Sequence, residues 1–352
     1  MAKKAASIGA RTDLARKAKG LSARSLADAV GLSHTAILKI CRGELVPTSG
    51  TLVRLAQGLG VTVEYLLRPF SVELQGVEFR RKKKLAKREQ NAIQAQVEDQ
   101  LERLLILEEF LPPDDRPKLD LPHISCPTPQ DAESAAEELR RKWRLGFDPI
   151  RDLTTLLEDR GIRVFAVTAP EAFDGLSGLA DHEACIAVGA DWPGDRQRFS
   201  LAHELGHLVL ELPSDDGNRA ESTCYRFAGA FLIPAPTLRA ELGTKRVHLN
   251  VLELRDMKRE YGISIQALIV RARDVAIISE RQYKSWWPRL SYLGWRKKEP
   301  EQLPKERPHW RDRLLQRLLA EDLISASRAA EAAGLPLAEI RRMGGDIESA
   351  AH

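Results

Sequence analysis

Two histidines and a glutamate stand close together in the segment His203-Glu204-Leu205-Gly206-His207. On an α-helix, side chains four residues apart project from one face, so His203 and His207 could bind one metal ion. Glu204 lies beside them and could reach a water molecule on that ion. The same spacing arises by chance, and the alternative is that both histidines are core residues and Glu204 a surface charge. A third ligand would favour the metal site.

Glu221 offers that third ligand. It lies 14 residues after His207, near the start of a predicted helix over about 218–232 that ends at Pro234. Two imidazoles and one carboxylate are a ligand set that zinc uses in hydrolytic sites, with a fourth position open for water. We therefore predict that His203, His207 and Glu221 bind one Zn²⁺.

This ligand set implies hydrolysis of a peptide bond. The ion would polarise the peptide carbonyl and lower the pKa of a bound water towards about 7. Glu204 would take the proton of the water and pass it to the leaving amine. An oxyanion also needs a hydrogen-bond donor. The sequence leaves this role open among Tyr225, Tyr261 and His248, of which Tyr225 lies one turn after Glu221 on the same helix face.

The catalytic motif needs a rigid helix, and its apolar flanks predict one that starts near residue 195 with Asp195 as its N-terminal cap. Helices over 131–144 and 149–160 are predicted before it. Three short β-rich stretches, separated by Gly and Asp residues, predict a small antiparallel sheet. They are residues 162–167, 176–180 and 184–189. Helix dominates the rest. The predicted fold class is mainly α with a small antiparallel sheet, an α+β arrangement.

A second candidate function lies near the N-terminus, where residues 12–67 predict an all-helical bundle. Residues 25–30 and 34–42 would form two helices joined by the turn Gly31-Leu32-Ser33, as in a helix-turn-helix. Apolar residues would hold the two helices together and leave polar side chains outward. The candidate DNA contacts are Arg24, Ser33, His34, Thr35, Lys39 and Arg42.

The charge distribution also favours DNA. Residues 1–89 hold 18 Lys or Arg against 7 Asp or Glu, a net charge of +11 in a chain whose total is +4. Residues 1–89, here called the head, are basic, and the rest of the chain is acidic. This asymmetry indicates a polyanion as the partner of the head. The alternative is a helical bundle that binds protein. One such module binds DNA weakly, so a specific site would need a homodimer.

A long helix and a linker separate the two candidate sites. A basic run at 80–84 begins a predicted helix that extends to about Leu111. The apolar stripe of this helix must be covered by another domain or by another subunit. The helix is therefore the candidate contact of a homodimer. Six prolines in 112–130 predict an extended linker. The predicted domains are a DNA-binding domain at 1–70, a linker region at 71–130, a peptidase domain at 131–245 and a helical C-terminal region at 246–352.

The turn pattern of Gly31-Leu32-Ser33 recurs twice, as Gly262-Ile263-Ser264 and as Gly334-Leu335-Pro336. All three could be helix-turn-helix corners. The second and third could equally be helix hairpins that pack a core.

The composition of the chain indicates where the protein is located and how its cysteines are used. The start of the chain lacks the apolar run of a signal peptide, and no stretch approaches the roughly 20 apolar residues of a membrane span, so we expect a cytoplasmic protein without a membrane partner. The cysteines are far apart in the sequence, which argues against a disulfide framework and against a thiolate zinc site. They are Cys41, Cys126, Cys185 and Cys224.

Two family resemblances follow from these residues. The N-terminal segment resembles the Cro/cI-type (XRE) helix-turn-helix over about sixty residues, through Leu26-Ala27, Gly31-Leu32-Ser33, Ile37 and Ile40-Cys41-Arg42-Gly43. Cys41 replaces the acidic residue that usually precedes Arg-Gly in that family.

Residues from about 131 to 298 resemble the ImmA/IrrE metallo-endopeptidases. The resemblance rests on Arg198-Phe199-Ser200-Leu201-Ala202-His203-Glu204-Leu205-Gly206-His207 and on Glu221-Ser222-Thr223-Cys224-Tyr225-Arg226-Phe227-Ala228. It implies that His203, His207 and Glu221 are ligands and that Glu204 is the general acid and base. Cys224 and Tyr225 depart from the commoner Ala and Asn or Asp.

The resemblance implies a function. Relatives of this family typically cut Cro/cI-type repressors and so switch on genes after DNA damage or in mobile elements. We therefore predict a DNA-binding zinc metallo-endopeptidase that cleaves a repressor, in trans or in cis, in a stress, phage or mobile-element response. The alternatives are a non-proteolytic regulator whose peptidase-like domain senses a metal or a small molecule, and one component of a toxin-antitoxin pair.

Overall fold

The computed structural model of this protein describes residues 4–5, 7–68, 70–77, 85–213 and 217–345. Helices dominate and the sheets are small, which confirms the predicted mainly α fold with a small sheet. The chain forms two compact units. One comprises Met1–Pro117, Leu179–Cys185 and His309–His352, and the other comprises Lys118–Gly178 and Ile186–Pro308.

Five helices form the N-terminal bundle of the first unit: α1 (Ile8–Ala18), α2 (Ala23–Val30), α3 (His34–Cys41), α4 (Ser49–Leu59) and α5 (Val63–Leu67). All five begin after a Ser or Thr whose side chain accepts a hydrogen bond from the backbone N–H three residues on, which satisfies one otherwise unpaired donor of each helix. Buried side chains such as Leu26, Ile37 and Leu55 fill the centre of the bundle.

The bundle continues into β1 (Lys4–Ala5), which pairs antiparallel with β2 (Phe70–Ser71), and into the long helix α6 (Lys87–Glu108). A buried ion pair fastens α1 to α6, with Nη1 of Arg11 2.7 Å from Oε2 of Glu102. The predicted basic run at 80–84 lies outside the described residues.

The second unit begins in the Pro-rich segment, where two 3-10 turns (Pro113–Asp115, Pro129–Asp131) flank β3 (Ile124–Ser125). β3 pairs in parallel with β7 (Leu210–Glu211), and Cys126 beside it is buried. The end of this segment is therefore packed structure, whereas the sequence predicted an extended linker.

A three-stranded sheet and a helical layer hold the candidate site. Helices α7 (Ala132–Lys142) and α8 (Leu153–Asp159) precede strands β4 (Ile162–Val167), β5 (Gly175–Ala180) and β6 (Glu183–Gly189), whose order in the sheet is β4-β6-β5. β5 is thus an edge strand. Helices α9 (Gly194–Val209) and α10 (Gly217–Leu232) follow and pack against each other.

The N-terminal cap predicted for α9 is wrong. Pro193 takes the N-cap position and Asp195 lies in the first turn, where its Oδ1 accepts a hydrogen bond of 3.0 Å from the backbone N–H of Arg196. Oδ2 of Asp195 accepts a hydrogen bond of 2.7 Å from Nζ of the buried Lys258. A buried ammonium needs such partners, and Glu299 supplies the second at 3.0 Å.

Four further helices complete the second unit: α11 (Ala235–Leu242), α12 (Val251–Tyr261), α13 (Ile265–Asp274) and α14 (Glu280–Tyr292). They share one apolar core that includes Leu254, Ile263, Leu268 and Leu290. No helix among the described residues is long and apolar enough to cross a membrane.

Three C-terminal helices belong to the first unit: α15 (Trp310–Ala320), α16 (Ala326–Ala333) and α17 (Leu337–Met343). The long helix α6 packs against α1, α15 and α16 of the same chain. The apolar stripe of α6 is consequently buried at Ile93, Val97, Leu101 and Leu104. The stripe is covered within the chain, which is the first of the two predicted alternatives, and these four residues are therefore not available as a dimer contact.

Candidate metal centre and nucleic-acid interface

Helices α9 and α10 bring the three predicted ligands together. The Nε2 atoms of His203 and His207 lie 3.1 Å apart. Oε2 of Glu221 is 3.5 Å from Nε2 of His203, and Oε1 is 3.4 Å from Nε2 of His207. Atoms that share a tetrahedral zinc at about 2.0–2.1 Å lie a little over 3 Å apart, so this donor set fits a zinc ion.

Gly206 explains how the two helices approach so closely. A Cβ atom at this position would lie 3.1 Å from Cδ1 of Phe227 and 3.4 Å from Cα of Cys224. The glycine inside the motif therefore allows α10 to lie directly against α9. Cys224, which departs from the family pattern, is fully buried in this contact.

Glu204 lies on the same helix as the histidines and is 3% exposed. Oγ of Ser177, on β5, donates a hydrogen bond of 2.9 Å to Oε2 of Glu204. Gly175 on the same strand leaves room for the carboxylate, because a Cβ there would come within 3.1 Å of its side chain. Sequence reasoning missed Ser177; the available signal was a polar residue inside a strand that is otherwise apolar.

The charges of the site favour an ionised carboxylate. Burial by itself raises the pKa of Glu221, but hydrogen bonds from His203 and His207 hold it well below its usual range. Burial opposes a charge on His207, yet hydrogen bonds with Cys224 and Glu221 raise its pKa. A cation that binds here must therefore displace a proton from the His207 imidazole, so its affinity falls as the pH falls.

The three candidate oxyanion donors lie in different surroundings. The ring centroid of Tyr225 is 4.5 Å from that of His203. Tyr261 is buried, and its hydroxyl donates a hydrogen bond of 3.0 Å to Oε1 of Glu241. His248 is exposed in the segment before α12. Of the three, Tyr225 contacts the candidate metal centre.

The predicted DNA-contacting residues lie on the outer surface of the α2–α3 corner. Leu26, Val30, Ile37 and Ile40 are buried between the helices, as their spacing predicted. Gly31 closes α2 in the left-handed conformation, with φ 65°. The six candidates are all exposed: Arg24, Ser33, His34, Thr35, Lys39 and Arg42.

Two of these six residues also have partners within the chain. Oγ of Ser33 accepts a hydrogen bond of 3.1 Å from the backbone N–H of Ala36, and so caps α3. Nη1 of Arg42 is 3.8 Å from Oε1 of Glu44, an exposed pair that water and salt weaken.

Comparison with known families agrees with this geometry. Residues 157–273 match the peptidase M78 family model, described as the IrrE N-terminal-like domain, and this stretch includes all four residues of the candidate centre. Residues 14–66 match a helix-turn-helix family model. A search of curated proteins found no match. The chain therefore joins an N-terminal helix-turn-helix domain of the XRE type to an IrrE-like peptidase M78 domain, which is the architecture of ImmA/IrrE proteins with a helix-turn-helix.

Proposed function

We propose that this chain is a zinc metallo-endopeptidase that regulates transcription by cutting a Cro/cI-type repressor. The observation that carries the proposal is the convergence of His203, His207 and Glu221 beside a buried glutamate, Glu204. A site that only senses a metal does not need that glutamate, since a carboxylate next to the ligands serves proton transfer. The regulation would belong to a stress, phage or mobile-element response, as the family resemblance implies.

Each residue of the site has a proposed role. A zinc ion held by the three ligands would supply the Lewis acidity that polarises a peptide carbonyl and acidifies water. Glu204 would accept the proton of the attacking water and deliver it to the leaving amine. Ser177 would hold the Glu204 carboxylate in position through its hydrogen bond. The Tyr225 hydroxyl is the donor that we propose for the oxyanion.

The edge strand β5 is the element that we propose binds the substrate. An extended peptide can add to an exposed sheet edge through main-chain hydrogen bonds. The end of β5 already takes such a partner: Leu179 and Gln75 exchange two main-chain hydrogen bonds, of 2.7 and 3.2 Å, as an antiparallel bridge. Gln75 lies eight residues after α5, so one residue beyond the helix-turn-helix bundle already makes the main-chain pairing that this binding mode requires.

The DNA-binding head would direct the peptidase to its substrate. A repressor of the Cro/cI type sits on DNA, and a second DNA-binding module on the protease raises its local concentration there. Cleavage in cis would require a part of residues 70–111 as substrate. Because α6 is packed on three helices, cleavage within it would require local unfolding, which keeps basal activity low.

A cleavage assay tests the proposal. The wild-type chain loaded with zinc is incubated with Cro/cI-type repressors encoded beside its gene, and products are identified by mass spectrometry. We expect one cut near the end of a helix-turn-helix module, and none with Glu204→Gln. Glu211→Gln, which alters an exposed carboxylate on β7, serves as the matched control and should cut normally.

The cis and trans reactions are separated by mixing tagged chains. Glu204→Gln carrying a tag becomes the substrate of untagged wild type if cleavage occurs in trans between copies. Cuts scattered through unrelated unfolded proteins, or cuts that persist in Glu204→Gln, would contradict the proposed function. Stoichiometric zinc without cleavage of any repressor would favour a metal sensor.

A further inference from the structure

The three C-terminal helices repeat the first three helices of the chain. The helices α1 and α15 have 11 residues each, α2 and α16 have 8 each, and α3 and α17 have 8 and 7. The first helix of each set ends in the same turn. Gly20 and Asp322 both take positive φ, and the next residue, a leucine in both cases, donates to the carbonyl five residues back.

The corner between the second and third helices is also the same. Gly31 closes α2 with φ 65° and ψ 41°, and Gly334 closes α16 with φ 67° and ψ 33°. The next backbone N–H, of Leu32 or of Leu335, donates to the carbonyl five residues earlier at 3.0 and 3.1 Å. This is the corner that residues 14–66 share with the helix-turn-helix family.

The pattern of burial follows the same register. With Gly334 aligned on Gly31, Ser325 takes the place of Ser22, and both hydroxyls cap their helix. Three buried apolar positions also coincide, pairing Leu26 with Ala329, Val30 with Ala333 and Ile37 with Ile340. The C-terminal set is thus built on the plan of the DNA-binding bundle, with smaller side chains between the helices.

The remaining corner of the same type, between α12 and α13, shows what a purely structural one looks like. Gly262 has φ 66° there, like the glycines of the other two corners. Ser264 caps α13 as Ser33 caps α3, whereas Pro336 precedes α17 without a side-chain cap. However, Ile265 is fully buried, and the Glu299 carboxylate accepts hydrogen bonds from the backbone N–H groups of Ile265 and Gln266. This corner is enclosed in a core and cannot meet a large partner.

In the α16–α17 corner Gly334 lies against the Arg103 side chain of α6, but one face of α17 is exposed. Arg341 and Arg342 are exposed on α17, and Arg342 takes the position of Lys39 on α3. Among the described residues no ion pair involves either arginine. Arg328 on α16 is exposed as well and lies 2.8 Å from Glu331.

We propose that α15–α17 form a second helix-turn-helix unit, which binds double-stranded DNA through phosphate contacts of Arg341 and Arg342. Both three-helix sets pack against α6, so one rigid helix supports both. Glu339, in the first turn of α17, opposes a close approach of that turn to the phosphates. The unit therefore adds affinity without sequence choice, while α3 carries the polar side chains suited to base contacts.

The salt dependence of DNA binding by the full chain tests this inference. A fluorescent duplex of about three helical turns (~30 base pairs) is titrated at several salt concentrations between about 50 and 200 mM. The starting protein is Lys39→Ala/Arg42→Ala, in which the head contacts are weakened. The slope of log K against log salt is negative, and adding Arg341→Ala/Arg342→Ala should reduce its magnitude by about 1.8, since each lost phosphate contact removes about 0.9.

Controls keep the result specific. Arg281→Ala/Lys284→Ala removes two exposed positive charges from α14 and should leave the slope unchanged. Arg341→Lys/Arg342→Lys retains both charges and should keep the slope. Glu339→Gln should strengthen binding, because it removes a negative charge near the phosphates, and this gain does not depend on a disruptive substitution.

An unchanged slope in Arg341→Ala/Arg342→Ala, in a chain whose circular dichroism is unaltered, would overturn the inference and leave α15–α17 as cover for α6. If that variant loses helix content, Glu339→Gln decides by itself, and unchanged affinity there overturns the inference equally. No cleavage is measured, so the outcome is independent of the proposed peptidase activity.

Discussion

The hydroxyl of Ser177 donates a hydrogen bond of 2.9 Å to Oε2 of Glu204, and thereby ties the edge strand β5 to the helix that carries both histidines. Both side chains are buried. The hydrogen bond therefore orients the Glu204 carboxylate beside the candidate metal centre, and the proton transfer that we propose requires a fixed orientation.

Loss of this hydrogen bond should slow catalysis more than it weakens substrate binding. A hydrogen bond to a charged group contributes about 1.5–3 kcal/mol, so Ser177→Ala should lower kcat by roughly tenfold to a hundredfold. KM and the zinc content should stay near the wild-type values, because Ser177 is not among the three proposed ligands. Steady-state kinetics of repressor cleavage measure both constants, with Ser134→Ala at an exposed position of α7 as control. An unchanged kcat would show that Ser177 has no positioning role.

The metal site should depend on both helices. We expect one zinc per chain by elemental analysis, and almost none in His203→Ala or Glu221→Ala, because two remaining ligands cannot hold the ion against a chelator. DNA binding should survive in both variants, since the head lies in the other compact unit. Full zinc occupancy in both variants would contradict the assignment of these residues as ligands.

Gly206→Ala should separate α10 from α9. The added methyl group would lie 3.1 Å from Cδ1 of Phe227, and such overpacking costs about 1–3 kcal/mol. We expect a lower melting temperature and a weaker zinc affinity, measured by competition with a chelator, because Glu221 moves away from the histidines.

Gly50→Ala is the matched control for that substitution. A Cβ atom at Gly50, in α4, meets nothing within 4 Å, and alanine favours helix, so stability should be equal or slightly higher. Equal zinc affinity in the two glycine variants would mean that close packing at Gly206 does not set the geometry of the metal site.

Removing one partner of the buried ion pair between Arg11 and Glu102 should lower the free energy of unfolding more than replacing both partners with apolar residues. Both side chains are fully buried, and Arg11→Met leaves the Glu102 carboxylate with Arg68, at 3.3 Å, in place of two cations. The substitution should therefore destabilise the first unit by up to about 3–5 kcal/mol. The double variant Arg11→Met/Glu102→Leu should recover much of that loss. Denaturant unfolding followed by circular dichroism measures the differences.

The exposed pair of Lys284 and Glu280 provides the comparison. Lys284→Ala should change stability by no more than about 1 kcal/mol, because solvent screens an exposed pair. If Arg11→Met proved equally mild, Arg68, which already lies 3.3 Å from Glu102, would be sufficient to compensate the carboxylate.

The sequence by itself was sufficient for the features that depend on neighbouring residues. A spacing of four residues places His203 and His207 on one helix face wherever that helix packs. Gly31 and Ser33 mark the corner between α2 and α3, because a left-handed cap and a hydroxyl N-cap are local requirements of the backbone. These features could be predicted together with the mainly α fold, and the match of residues 14–66 agrees with them.

Other features were decided by tertiary structure alone. The partner of Glu204 is Ser177, 27 residues away on an edge strand, and no periodicity links the two. Aspartate commonly caps helices, but Asp195 lies in the first turn of α9, where its carboxylate pairs with the buried ammonium group of Lys258. The apolar stripe of α6 was visible in the sequence, but helices more than 200 residues later share in covering it. A pattern of apolar residues indicates that a surface must be buried, because its exposure to water is unfavourable. The same free energy is gained whichever apolar surface covers it. Only the folded chain therefore decides which element is the partner.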